Sequence, residues 1–165
     1  MAACDYAGRW GRSFFDDIAS LHSHLGLVVA RTSNFVAYFG LTSVAAGPQI
    51  EIIGNVPSTD ELMKIEGEES VVELAGVFHA VLVAAQSVLG WDGISSACVL
   101  PPMGTPLSED GTCLPTLCRI VQRGRYDADI SDISANELFE TPAVATDLFD
   151  ASAAVKAYIL SESTS

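Results

Sequence analysis

A strongly apolar run from Val71 to Leu89 constrains this chain more than any other feature of its sequence. The run has the length that an α-helix needs to cross a bilayer, so a membrane span competes with a helix of a folded domain. Glu73, His79 and Gln86 interrupt it, and its near flank is acidic rather than basic. Membrane helices usually carry basic flanks and few ionisable side chains. We therefore predict the central helix of a folded domain, ending at Gly90, and no membrane span.

One side of this predicted helix carries small residues. Gly76, Ala80 and Ala84 follow one another four residues apart, and such a row allows a neighbouring element to approach closely. We expect the helix to be covered on two sides, at the centre of a domain or at a subunit interface.

Shorter elements are predicted on both sides of the central helix. A helix should run from Ser13 to Leu25, with Ser13 as its cap and Gly26 as its stop. The β-branched and aromatic residues of 27–30 and 35–39 favour a hairpin, although a continued helix fits them too. Further along we predict strands at 49–56, 94–100 and 117–123, a short helix after Pro57, a long loop at 101–116 and a last helix at 151–160.

This order of elements indicates an α+β fold. A single domain would hold an antiparallel or mixed sheet, covered by the N-terminal helix and the long central helix. A mainly α domain is the alternative, because the hairpin residues also suit a helix. We predict a compact core over residues 1–126 and an acidic, helical C-terminal segment over 127–165, packed on the core or on a neighbour.

The charge of the chain is strongly acidic, with 21 Asp and Glu against 8 Lys and Arg and a net charge of −13. Such a surface repels phosphates and anionic lipids, which argues against general nucleic-acid or membrane-surface binding. The apolar content of 49% excludes a disordered chain. Solubility through self-repulsion is the simplest reason for the acidity, and a basic partner is the alternative.

The four cysteines are Cys4, Cys98, Cys113 and Cys118. Their spacing matches neither a zinc site nor a redox CxxC motif, and no secretory signal is apparent before them. We expect mostly buried free thiols and a cytoplasmic or intracellular location, or a place within an assembled particle.

No motif meets the geometry of a catalytic or metal centre. His22 and His24 would point to different faces of their helix, and His79 is expected to be a hydrogen-bonded interior histidine. Asp127–Asp132 begins like a calcium loop but lacks the glycine and glutamate that such a loop requires. Gly93–Ala97 resembles a nucleophile elbow, yet its helix and strand come in the wrong order. Because glycine-rich nucleotide motifs are also missing, we predict no catalytic residues, no cofactor and no metal.

Two features predict contact with other protein subunits. One is a basic cluster, expected to pair with acids of the C-terminal segment or of a neighbouring subunit, with a phosphate contact as the alternative. The other is a repeated acid-Leu-Phe-acid pattern, which would either anchor a partner or dock as two helical turns on the core. The candidate partner-binding residues are Arg119, Arg123, Arg125, Leu138, Phe139, Leu148 and Phe149.

The function favoured by these observations is a non-enzymatic structural or assembly subunit of a larger complex, such as a viral or phage particle, as a homo- or hetero-oligomer. An adaptor or chaperone-like binding module is the second hypothesis. The third is an enzyme whose site is assembled from scattered residues, which no motif search would find.

Overall fold

The computed structural model of the chain describes residues 2–43, 47–54, 68–100, 115–123, 144–145 and 147–163, without the side chains of residues 2, 4, 68 and 69. In chain order, its elements are α1 (Ala2–Trp10), α2 (Phe14–His24), β1 (Val28–Arg31), β2 (Phe35–Phe39), β3 (Gln49–Gly54), α3 (Glu68–Leu89), β4 (Ile94–Val99), β5 (Thr116–Gln122) and α4 (Leu148–Glu162). The short helix predicted after Pro57 and nearly all of the predicted loop 101–116 lie outside the described residues.

The strands form one antiparallel sheet in the order β1-β2-β3-β5-β4, with β1 and β4 at its edges. The predicted α+β fold is therefore confirmed, and the mainly α alternative is wrong, since 27–30 and 35–39 do pair as a hairpin. The division at residue 126 stays a prediction, since the chain around it lies outside the described residues. Helix α1 was not predicted from the sequence.

The hydrophobic core lies between one face of the sheet and the helices α3 and α4. Alternate strand residues face these helices, as the period of two in a β-strand requires. The fully buried core side chains include Phe35, Phe39, Ile50, Ile52 and Ile120 of the sheet, with Val81 of α3 and Val155 of α4. Each such aliphatic or aromatic side chain contributes about 1.5–3 kcal/mol when it leaves water.

Helix α3 contributes one face to the core, and 22% of its most apolar stretch is buried. Its Ser70–Leu89 segment has a mean hydropathy of 1.7 and is long and apolar enough to span a membrane by length and composition. Val77, Val81 and Ala85 nevertheless pack into the core of the domain. The predicted row of small residues is covered only in part, because Ala84 is buried whereas Gly76 is exposed and has open space around it.

A disulfide joins the neighbouring strands β4 and β5. Cys98 lies directly opposite Cys118 in the strand register, and their sulfurs are bonded with the Cα atoms 4.1 Å apart. Cys118 is fully buried, whereas Cys98 is exposed. The prediction of free thiols is therefore wrong for this pair, because strand register brings together two cysteines that no sequence motif connects.

Candidate functional site

Three polar side chains cross the other face of the sheet in one row. Tyr38 of β2 pairs in register with Glu51 of β3, and Glu51 pairs with Arg119 of β5. The Tyr38 hydroxyl donates to Glu51 Oε2 at 2.9 Å. Arg119 donates to Glu51 Oε1 through Nε and Nη2, both at 3.1 Å. These three side chains, defined here as the polar row, are the most connected polar group on this face among the described residues.

Glu51 is the common acceptor of the polar row and its surroundings. Besides Tyr38 and Arg119, it accepts a hydrogen bond from Gln49 Nε2 at 2.6 Å. Three of these contacts end on Oε1, while Oε2 accepts from Tyr38 and keeps a second lone pair. Glu51 therefore holds Arg119 in place through Oε1.

Tyr38 is held in its neutral form. Its side chain is fully buried, and burial raises the pKa of the phenol well above its usual range. The negative charge of Glu51 and the hydrogen bond to it raise the pKa further, while Arg119 opposes the shift. The phenol thus acts as a permanent hydrogen-bond donor to Glu51.

A cavity of about 400 Å³ lies beside this row, between α2 and the sheet. Its floor includes Tyr38, Glu51 and Arg119, and its walls are mainly apolar. We call this cavity the α2 cleft. Its apolar wall residues are Phe14, Phe15, Ile18, Leu21, Leu41, Ile53 and Leu117.

Contacts at its start join helix α2 to α1 and to the turn between the two helices. As predicted, Ser13 is its N-cap and accepts a hydrogen bond from Asp16 N at 3.4 Å. Asp17 accepts from Tyr6 of α1 at 2.6 Å and pairs with Arg12 at 2.8 Å. The predicted stop is also confirmed, since Gly26 takes a left-handed φ of 75° after the helix.

His22 is a structural part of the α2 cleft. Its ring lies 4.1 Å from that of Tyr38 and is only 5% exposed. Because Ile18 O can only accept, His22 Nδ1 must donate to it at 2.8 Å, which leaves Nε2 to accept from Leu41 N at 3.3 Å. Both ring nitrogens are engaged, so His22 positions the helix on the sheet.

The other two histidines lie elsewhere. His24, on the exposed side of α2, donates from Nδ1 to Ser20 O at 2.7 Å. His79 is exposed on α3, so the expected interior histidine is wrong. Among the described residues, no group of three or more His, Cys, Asp or Glu side chains could hold a metal ion.

The predicted partner-binding residues that the structure describes do not form one surface. Arg119 pairs with Glu51 of β3, and its expected pairing with acids of the C-terminal segment or of a neighbouring subunit stays a prediction. Arg123 Nε donates to Ser95 Oγ of β4 at 3.0 Å. Leu148 is buried in the core, while Phe149 beside it is 56% exposed. A role in partner binding stays a prediction, and its remaining candidates, Arg125, Leu138 and Phe139, lie outside the described residues.

Comparison with known proteins gives a likeness of fold. No family model and no curated protein matches the chain. Two solved uridylyltransferase structures, one of a mutant, match 97% of this chain at 16% identity and a TM-score of 0.70. The matches cover 51% and 49% of those chains, so this chain spans about half their length. A zinc-bound histidine triad family protein from Mycobacterium smegmatis matches 89% of this chain and 94% of its own at 15% identity and a TM-score of 0.54.

This likeness corrects the function inferred from the sequence. The chain shares its fold with about half of each uridylyltransferase chain and with a histidine triad family protein, so the expected structural subunit of a viral or phage particle is wrong. The error has a physical origin, because missing motifs exclude only sites that are built from neighbouring residues. The polar row instead joins three separate strands, with Glu51 and Arg119 lying 68 positions apart.

Zinc in one of these neighbours raises the question of a zinc site in this chain. Its three histidines are His22 and His24 on α2 and His79 on α3. These two helices cover opposite faces of the sheet. The described residues therefore do not fit a zinc ion, which takes four ligands at about 2.0–2.3 Å.

Proposed function

We propose that this domain binds a nucleotide in the α2 cleft, with a uridine nucleotide as its first candidate ligand. The observation that carries this proposal is the polar row on the floor of an apolar cleft. The fold shared with uridylyltransferase over 97% of the chain supports the choice of ligand. Of the three hypotheses from the sequence, the last is the nearest, because the polar row is a site assembled from scattered residues.

The walls of the cleft suit a base and its ribose. Phe14, Phe15 and Ile18 of α2 face Ile53 and Leu117 of the sheet across the cavity. Ligand sites are typically apolar with a few placed polar groups, and a volume of about 400 Å³ lies within their usual range. A planar base fits between such walls and loses its contact with water there.

Arg119 is the group that would contact the phosphate. An arginine carries five N–H donors, and two of those of Arg119 are directed at Glu51. Three donors remain, on a side chain that is 44% exposed. Since Glu51 Oε1 holds both Nε and Nη2 of Arg119, it would act as a positioning residue that presents the guanidinium to the ligand.

The chemical step is not assigned to a side chain of the cleft. Nucleotidyl transfer through a covalent intermediate requires an accessible nucleophile. His22, the histidine of the described cleft lining, has both nitrogens engaged and is nearly buried. The proposal for the described residues is therefore nucleotide recognition.

Isothermal titration calorimetry tests this proposal. Uridine 5′-monophosphate, uridine and adenosine 5′-monophosphate are titrated into the purified chain. We expect the uridine monophosphate to bind most tightly and uridine to bind more weakly, because it lacks the phosphate. Arg119→Ala should reduce the affinity for the monophosphate about tenfold or more, the usual effect of losing a charge-assisted hydrogen bond. It should change the affinity for uridine much less.

The matched control is Arg9→Ala, which removes an exposed arginine of α1 that lies outside the cleft lining. It should leave both affinities unchanged. Circular dichroism of each variant verifies that the fold is retained. Absence of binding by every nucleotide, or equal losses in Arg119→Ala and Arg9→Ala, contradicts the proposal.

For location, we propose the cell interior, where nucleotide ligands are plentiful. Disulfides are rare in the cytosol, so the Cys98–Cys118 bond gives a direct test. Thiol trapping during cell lysis should find this pair reduced in the cell, with the bond of the structure forming once the protein meets an oxidant. A bond that is already fully formed at lysis contradicts an intracellular location.

A further inference from the structure

A second cavity lies on the other side of α2. It measures about 480 Å³ and is bounded by α2 and by the turn between β1 and β2. It shares Phe15 and Ile53 with the α2 cleft, so the helix separates the two spaces. We call it the hairpin cleft. In contrast to the apolar walls of the α2 cleft, it presents the hydroxyls of Ser20, Ser23 and Ser33.

The turn that forms one wall is held from behind. Glu73 of α3 accepts hydrogen bonds from Asn34 N at 2.9 Å and from Asn34 Nδ2 at 2.7 Å. Burial alone would raise the pKa of Glu73, but hydrogen bonds from Thr32 and Asn34 outweigh it and lower this pKa. The carboxylate therefore stays charged and fixes the turn. A fixed wall reduces the ordering that a ligand would have to impose.

Arg31 lines this cleft at the end of β1. Among the described residues it makes no ion pair, whereas Arg12 and Arg119 each have a carboxylate partner. Asp16 also lines the cleft, and it is the charge there that opposes an anion. In a chain with 21 acids and 8 bases, an arginine in a polar cavity without an acidic partner is available to a negatively charged ligand.

His24 adds an oriented acceptor to the same lining. Its Nδ1 must donate to Ser20 O, at 2.7 Å, because a carbonyl oxygen only accepts. This hydrogen bond orients the ring and leaves Nε2 for another partner. Serine hydroxyls can donate to a phosphate oxygen, and the hydroxyl of a protonated phosphate can donate to Nε2.

We propose that the hairpin cleft binds the phosphate group of a small molecule, with Arg31 donating to its oxygens beside the serine hydroxyls and the His24 ring. This site is independent of the α2 cleft, because none of its polar groups belongs to the polar row. It can therefore be present even if the nucleotide proposal fails.

Inorganic phosphate is the probe, titrated against chloride at constant ionic strength and followed by NMR chemical shifts of the backbone amides. We expect saturable shifts at Ser20, Ser33 and neighbouring amides. Arg31→Ala should weaken binding about tenfold or more. Asp16→Asn should strengthen it severalfold, because it removes the opposing charge.

Two controls make matching charge changes on α1, outside the cleft. Arg9→Ala and Asp5→Asn alter exposed side chains and should leave the phosphate affinity unchanged. Arg119→Ala should also leave it unchanged, which separates this site from the nucleotide site. The proposal is overturned if phosphate causes no saturable shifts, if the shifts lie elsewhere, or if Arg31→Ala binds like the wild type. Amide spectra of the variants verify that each is folded.

Discussion

Gly54 lies against the ring of Phe35, and the contact leaves no room for a side chain at position 54. The two residues are register partners across β2 and β3. A Cβ added to Gly54 would lie 2.2 Å from Phe35 Cε1 and 2.4 Å from Cδ1. Since φ at Gly54 is not positive, the requirement for glycine is one of space alone.

The destabilisation expected from Gly54→Ala follows from this geometry. Ordinary contact begins near 3.4 Å, so the ring would have to move by about 1.2 Å. Phe35 is fully buried in the core and has no solvent side to move into. Overpacking of this kind costs about 1–3 kcal/mol, and we expect the upper end. For a chain of this size that lowers Tm by about 6–12 °C.

Gly76→Ala is the matched control, because it makes the same chemical change where a Cβ meets nothing within 4 Å. Gly76 lies inside α3, where alanine is favoured over glycine by up to about 1 kcal/mol. Both variants lower the conformational entropy of the unfolded chain by a similar amount. This entropic contribution to stability therefore cancels when the two variants are compared. The two substitutions should change stability in opposite directions.

Equilibrium unfolding in urea, followed by tryptophan fluorescence, measures both effects, since Trp91 is only 2% exposed in the native core. The double variant Phe35→Leu with Gly54→Ala should be more stable than the sum of the single changes predicts, because the smaller side chain relieves the clash. If Gly54→Ala unfolds like the wild type, or if the two changes are simply additive, the close contact is not as described.

Three further predictions concern charge and covalent links. Because the pKa of Glu73 is lowered, its carboxylate contributes to the free energy of unfolding above about pH 5, and this contribution is lost in acid. The difference in stability between wild type and Glu73→Gln should therefore close as the pH falls. A difference that does not depend on pH contradicts this. Because the pKa of Tyr38 is raised, its neutral phenol contributes stability that is fully present below about pH 10 and is lost at higher pH. In an ultraviolet titration, one of the four tyrosines should therefore stay un-ionised until the protein unfolds. Tyr38→Phe should remove that delayed step. The Cys98–Cys118 bond closes a loop with a sequence separation of 20. Its reduction should lower the free energy of unfolding by about 3 kcal/mol. An unchanged urea midpoint would show that the bond does not stabilise the fold.

The elements that the sequence predicts correctly are those with local signals. Ser13 and Gly26 mark the ends of α2 through capping and left-handed backbone, both of which depend on neighbouring residues. The apolar run predicts a helix and the aromatic segments predict a hairpin, and the structure has α3, β1 and β2 at these places. Helix α1 was missed because its apolar positions are sparse, and its packing depends on Tyr6 reaching Phe14 and Asp17.

The site could not be predicted in the same way, because it depends on strand register. The sequence indicates Arg119 as a candidate, but the partners it suggests are acids of the C-terminal segment, a neighbouring subunit or a phosphate. The structure shows Glu51, a single acid inside an apolar strand, directly opposite it. Cys98 and Cys118 illustrate the same limit, since register alone makes them neighbours. Such non-local pairings carry no local periodicity.

The strand order has a consequence for synthesis of the chain. β3 pairs on one side with β2, which precedes it directly, but on the other side with β5. Arg119 is made 68 residues after Glu51, which takes about 3–14 s at ordinary translation rates. During that interval one edge of β3 has no strand partner, and Glu51 has no arginine. A nascent chain of this protein can therefore form the β3–β5 pairing and the Glu51–Arg119 contact only after β5 has been synthesised.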